Sequence, residues 1–175
     1  MSLPVVDQNL HFLSQGADLL RLLDDNAYCR PTGDRPRAAG VGPHFRHCLD
    51  FYRCFLRDLE GGRIDYDTRD RQPELETSVS AALATIESIM ANLASINDEE
   101  AERLVDVHHD EVPGEEPVTS WQRSTVAREL RFLASHTVHH YALIAHLARE
   151  QGIEPVEEFG VAPATLEFWA SQEAR

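Results

Sequence analysis

Residues 124–152 read STVARELRFLASHTVHHYALIAHLAREQG, and the spacing within them decides the fold. At about 100° per residue, the apolar positions Val126, Leu130, Leu133, Thr137, Ile144 and Leu147 form one stripe, which predicts a long helix with one buried face. Ser124 offers an N-cap and Gly152 a C-terminal stop. His140 falls inside the stripe and His136 at its edge, whereas His139 and His146 point away. Imidazoles four residues apart lie one turn apart, so both can reach a single cation at about 2.0–2.1 Å. Burying two imidazoles without partners is costly, and a metal would satisfy them. A third ligand from a facing helix would complete a tripod with an open position. Taken alone, such a pair is more often two hydrogen-bonded core or boundary histidines, and a second pair, His44 and His47, near the start of another long helix brings the metal reading level with that one.

Working outward, three more helical patterns appear. Asp7 to Tyr28 has apolar residues at helical spacing (Leu10, Phe12, Leu13, Ala17, Leu20, Leu23) and ends in the loop RPTGDRPRAAG. A second helix runs from about His44 to Glu60, with Pro43 in its first turn and Gly61-Gly62 as its stop. Its apolar face is Cys48, Phe51, Tyr52, Phe55 and Leu59. His44 lies nearer the centre of that face than His47, so periodicity alone favours His44 as the third ligand. Residues 63–76, RIDYDTRDRQPELE, are polar and irregular. Thr77 to Ile96 gives a third helix, ended by Asn97-Asp98. Residues 102–122 flank Pro113-Gly114; their first part alternates (Leu104, Val105, Val107) and predicts a short β-hairpin or extended insertion before the last long helix. After Pro163 the tail predicts a short amphipathic helix whose Phe168 and Trp169 cap the bundle. Four main helices with little strand make this an all-α chain, a four-helix bundle in a single domain spanning residues 1–175.

Composition narrows the function. The 175 residues carry 30 acidic and 16 basic side chains, a formal net charge of −14, which argues against a nucleic-acid partner. No apolar run approaches the ~18 residues of a membrane span, and the N-terminus lacks the pattern of a secretion signal. Cys29, Cys48 and Cys54 have no metal-knuckle spacing and read as reduced thiols of a cytoplasmic protein, with Cys48 and Cys54 in the core. Of the nine histidines, His11, His108 and His109 stand apart from the two clusters, and the acidic segment around His108-His109 reads as solvated.

The segments GPHFRHCLDFYRCFL, GRIDYDTRDR and STVARELRFLASHTVHHYALIAHL together resemble the DinB/YfiT-like superfamily over roughly residues 40 to 165. That resemblance implies a metal-binding four-helix bundle with one ligand on the second helix and an HxxxH pair on the last. Carried over residue by residue, the ligands fall on His47, His136 and His140; this choice of His47 runs against the helix phase, which leaves His44 as the alternative ligand or a supporting partner. The expected cofactor is a divalent metal ion, zinc or nickel ahead of iron or manganese, since imidazole suits several borderline cations. The expected activity is a metal-dependent enzyme, an S-transferase or hydrolase-like protein, that activates a thiol or water. Its partner would be a small molecule such as a low-molecular-weight thiol. The alternative is a non-enzymatic, metal-stabilised bundle, and a homodimer fits either case. No residue identifies itself as a general base. Tyr66, Asp67, Arg69 and Arg71 crowd a loop that would either close over the metal mouth and bind an anionic group or form salt bridges.

Overall fold

The computed structural model describes residues 3–31, 40–108 and 121–173. In chain order the elements are α1 (Pro4–Leu20), α2 (Asp25–Cys29), α3 (Val41–Leu59), β1 (Arg63–Asp65), α4 (Glu74–Thr77), α5 (Val79–Leu93), α6 (Asp98–Glu102), β2 (Leu104–His108), β3 (Gln122–Thr125), α7 (Val126–Glu150) and α8 (Pro163–Glu173). The bundle is made by α1, α3, α5 and α7: α7 packs on both α1 and α3, and α5 covers the other side of that pair. Their stripes meet in one core in which Leu13, Leu20, Phe45, Phe55, Ile86 and Ile144 are almost wholly inaccessible. Each such side chain contributes about 1.5–3 kcal/mol of hydrophobic stabilisation relative to exposure.

One polar network crosses the core. The Asn9 side-chain amide donates to Val5 O at 2.7 Å and to Leu130 O at 3.0 Å, and its carbonyl accepts from the Tyr52 hydroxyl at 2.7 Å. Thr137 donates to Leu133 O at 2.8 Å and lies 3.2 Å from the Tyr52 hydroxyl. These buried groups satisfy one another, as buried polar atoms must.

Several boundaries differ from the sequence expectation, each for a local reason. The first helix is two: α1 ends at Leu20, and Asp24 restarts the chain by accepting Ala27 N–H at 2.7 Å. The break turns Tyr28 inward, where its hydroxyl donates to Leu75 O at 2.6 Å. Helix α3 begins at Val41, ahead of Pro43, and its Gly42 meets the chain end of α4 so closely that a Cβ there would lie 2.1 Å from Glu76 O. Ser78 caps α5, and Asn97 opens α6 rather than closing α5, accepting Glu100 N–H at 2.9 Å. Thr125, not Ser124, caps α7 by accepting Arg128 N–H at 3.2 Å. Gly152, at φ 77°, ends that helix as expected.

The irregular stretch after α3 holds β1 and α4. Strand β1 pairs in parallel with β2, and β2 pairs antiparallel with β3, so the expected hairpin is present as two strands of a three-stranded sheet. Its Pro113-Gly114 tip lies outside the described residues. The tail helix α8 does form, but its apolar residues do not segregate to one face, and Phe168 and Trp169 are 59% and 43% exposed instead of capping the bundle. Cys48 and Cys54 are buried, as expected, and Cys29 is exposed; all three are free thiols. Among the described residues no helix is long and apolar enough to cross a membrane.

Candidate metal centre

The interface of α3 and α7 brings three histidines together. His136 and His140, one turn apart on α7, face His47 on α3. The candidate ligating nitrogens of all three lie within 4.8 Å of one another. Ring centroids are 4.9 Å apart for His47–His136 and 4.6 Å for both His47–His140 and His136–His140. All three side chains are half-buried. His44, one turn before His47, stays outside this trio and meets it through His140, with Nδ1 to Nδ1 at 3.0 Å. His139 and His146 are exposed on the far side of α7, as the helix phase predicts, although the His139 ring is edge-on to His140 at 5.3 Å.

Burial and neighbouring charge hold His47 and His140 neutral. Burial first, then the neighbouring His140 and the cations of Arg69 and Arg46, lower the pKa of His47 to about 4. Burial and the nearby His136 and His44 do the same for His140, again to about 4. His44 is also lowered, chiefly by burial. At neutral pH the lone pairs of His47 and His140 are therefore available, and three imidazoles are the donor set that a borderline divalent cation takes. The residues fit such a metal.

Aromatic rings wall the cluster. Phe51 lies 4.4 Å from His136 and packs edge-on against His47 at 5.0 Å, while Phe132 stands 5.7 Å from His136. Tyr66 packs on both phenylalanines, at 5.3 and 5.5 Å. Its hydroxyl donates to Glu129 at 3.1 Å; the other oxygen of that carboxylate accepts from Ser124 at 2.6 Å and Arg128 at 2.9 Å. Glu129 is wholly buried. It escaped the sequence reading, yet its position three residues after Val126 and one before Leu130 placed a carboxylate on the buried face of α7.

The residues of the loop after β1 separate in space. Tyr66 is part of the core. Arg69 lays its guanidinium over Phe51, 4.3 Å from the ring centroid, and donates to Tyr66 O. Asp67 and Arg71 are exposed, Arg71 at φ 47°. His108 is not solvated: β1–β2 pairing sets it opposite Asp65, and it is half-buried between Trp121, at 5.7 Å, and Asp67, at 3.9 Å. Asp65, Asp67 and His108 form a second group of close ligand atoms. Within it, Asp65 already accepts the Asp67 N–H at 3.0 Å, as in an ordinary turn. His109 lies outside the described residues.

No curated protein matches the chain. The family model for the DinB superfamily matches residues 15–144, well over half of the chain and a span that contains His44, His47, His136 and His140, so the chain belongs to the DinB superfamily.

Proposed function

We propose that this protein is a metal-dependent enzyme in which His47, His136 and His140 hold one divalent cation, zinc or nickel foremost, and which acts on a small molecule by activating a thiol or a water, as an S-transferase or a hydrolase-like enzyme. The observation that carries the proposal is the convergence of three half-buried imidazoles from two helices, a donor number that leaves a cation with positions to spare. When bound, such a cation lowers the pKa of a coordinated thiol or water and supplies a nucleophile at neutral pH.

The chain's own residues do the rest. His44 engages the Nδ1 of His140 and so fixes that ring's orientation, the usual task of a hydrogen-bond partner behind a ligand. Phe51 and Phe132 keep water from the flank of His136. The alternative, a metal that only stabilises the bundle, is disfavoured by a core already closed by apolar packing and by the Asn9–Tyr52–Thr137 network. A metal needed for folding belongs to chains that cannot bury such a core.

The test starts with elemental analysis of protein purified without a histidine tag, followed by cobalt substitution and titration with small thiols, and a thiol-transfer screen. Stoichiometric metal whose cobalt spectrum shifts with thiol supports the enzyme. A fully enclosed metal whose removal unfolds the chain would establish the structural alternative.

A further inference from the structure

We infer that Arg69 forms an anion-binding subsite beside the three-histidine centre, so that the small molecule taken by this protein carries a carboxylate next to the group directed at the metal; the inference rests on the metal-enzyme reading above and names its substrate class.

Three features support it. The first is pairing. Arg46, Arg53 and Arg57 on α3 are each engaged by carboxylates: Arg46 by Glu76 at 2.6 Å, Arg53 by Asp70 at 3.3 Å and Arg57 by Asp58 at 2.7 Å. Arg69 differs, for among the described residues it has no carboxylate partner and donates only to a backbone carbonyl. Asp50, the nearest buried carboxylate on α3, is taken by Arg46 at 3.2 Å and Arg53 at 3.6 Å. Asp50 reaches Arg69 only through space, and in a chain of net charge −14 a half-buried guanidinium with no hydrogen-bonded carboxylate among the described residues is out of keeping with its surroundings.

The second feature is place. The Phe51 ring that carries Arg69 on its face is the ring that packs against His47 and His136. Its charge thus lies one ring away from two of the three candidate ligands.

The third is rigidity. Tyr66, which accepts from Arg69, is buried and tied to Glu129 of α7, and the same loop is clamped to α3 by Arg57, which donates to Thr68 O at 3.1 Å and to Thr68 Oγ1 at 3.0 Å. A guanidinium has five N–H donors; stacking occupies its face and Tyr66 one edge, which leaves a forked edge matched to a carboxylate. Because loop and side chain are already fixed, little ordering entropy opposes binding.

The test uses the cobalt-loaded full-length protein. It is titrated with 3-mercaptopropionate and with 2-mercaptoethanol, followed by visible absorption, and with succinate, followed by calorimetry. A charge-assisted hydrogen bond predicts that 3-mercaptopropionate binds about 10-fold or more tighter than 2-mercaptoethanol. In Arg69→Gln that preference falls towards one with metal content unchanged, in Arg69→Lys part of it survives, and Arg71→Gln retains all of it. Equal affinities in the wild-type protein, or a preference that persists in Arg69→Gln, would overturn the subsite while leaving the metal enzyme intact. If Arg69→Gln does not load metal, the wild-type ratio and Arg69→Lys still decide. If thiols leave the spectrum unmoved but succinate binds and depends on Arg69, the subsite stands and thiol activation falls. If neither thiols nor succinate bind, both are wrong.

Discussion

Two polar clusters sit side by side in the α3–α7 interface, and they are built in opposite ways. Tyr52 and Thr137 turn to the bundle axis, where with Asn9 they close a wholly buried network of mutual donors and acceptors. Their sequence neighbours on the same two helices, Phe51 and His136, turn toward the rim with His47 and His140, where imidazoles crowd one another and burial holds the pKa values of His47 and His140 down. The first cluster is complete as it stands. The second gathers imidazoles whose candidate ligand atoms lie within 4.8 Å of one another. Polar residues one position apart on a helix can therefore serve the fold and the site separately.

That contrast can be broken, and the largest effect should come from the rim. His136→Ala or His140→Ala, and equally His47→Ala, should weaken metal binding roughly 100- to 1,000-fold in a chelator competition, while the metal-free unfolding midpoint barely moves. Retention of stoichiometric metal by His47→Ala would remove His47 from the ligand set. Next is the axis: Asn9→Ala removes the acceptor of the buried Tyr52 hydroxyl and the second donor to Leu130 O, and should cost about 2 kcal/mol in urea unfolding, with metal affinity unchanged. If Asn9→Ala instead abolishes metal binding in folded protein, the two clusters are one unit.

A smaller effect sharpens the distinction within the rim. His44→Ala should cost only about 10-fold in metal affinity, as expected of a residue acting through His140. A loss as large as that of His47→Ala would make His44 a ligand.

The smallest effect is the pH dependence of the metal-free protein. His47 and His140 are depressed to about 4 in the fold. Between the ordinary imidazole value of about 6.5 and that value the unfolded chain binds more protons, so stability is full above the window and declines as pH falls through it. Partial exposure of the rings keeps the slope shallow. It should flatten in a His47→Gln/His140→Gln double variant, as followed by urea midpoints from pH 7 to 4. An unchanged slope would place the acid sensitivity elsewhere.

Much of this was legible in the chain. The stripe of α7 is strongly periodic, so it gave the helix, its inward His136 and His140 and its outward His139 and His146. Strand β2 showed as alternation at Leu104, Val105 and Val107, whereas Ser124 and Thr125 of its partner β3 read as the start of the last long helix. What escaped depended on tertiary contacts. Leu20 and Leu23 keep helical spacing across the α1–α2 break, so periodicity runs through a turn that only the packing of Tyr28 on Leu75 reveals. Strand β1 is three residues long, too short for an alternating pattern, and its parallel pairing is what draws His108 out of solvent. The choice between His44 and His47 hung on helix phase close to a terminus, and α3 starting at Val41 shifts that terminus. Phe168 and Trp169 were misplaced because two large apolar residues do not make an apolar face.

The histidines also carry a consequence for how the molecule assembles. His44 and His140, in contact in the finished protein, are 96 residues apart along the chain. Closing so long a loop precedes any gain from the contact, and no helical hairpin formed early holds the whole trio. A cation that needs all three imidazoles binds the folded chain in preference to the unfolded one and stabilises it. Its uptake by refolding chains should thus lag behind the recovery of helicity and report the pairing of α3 with α7.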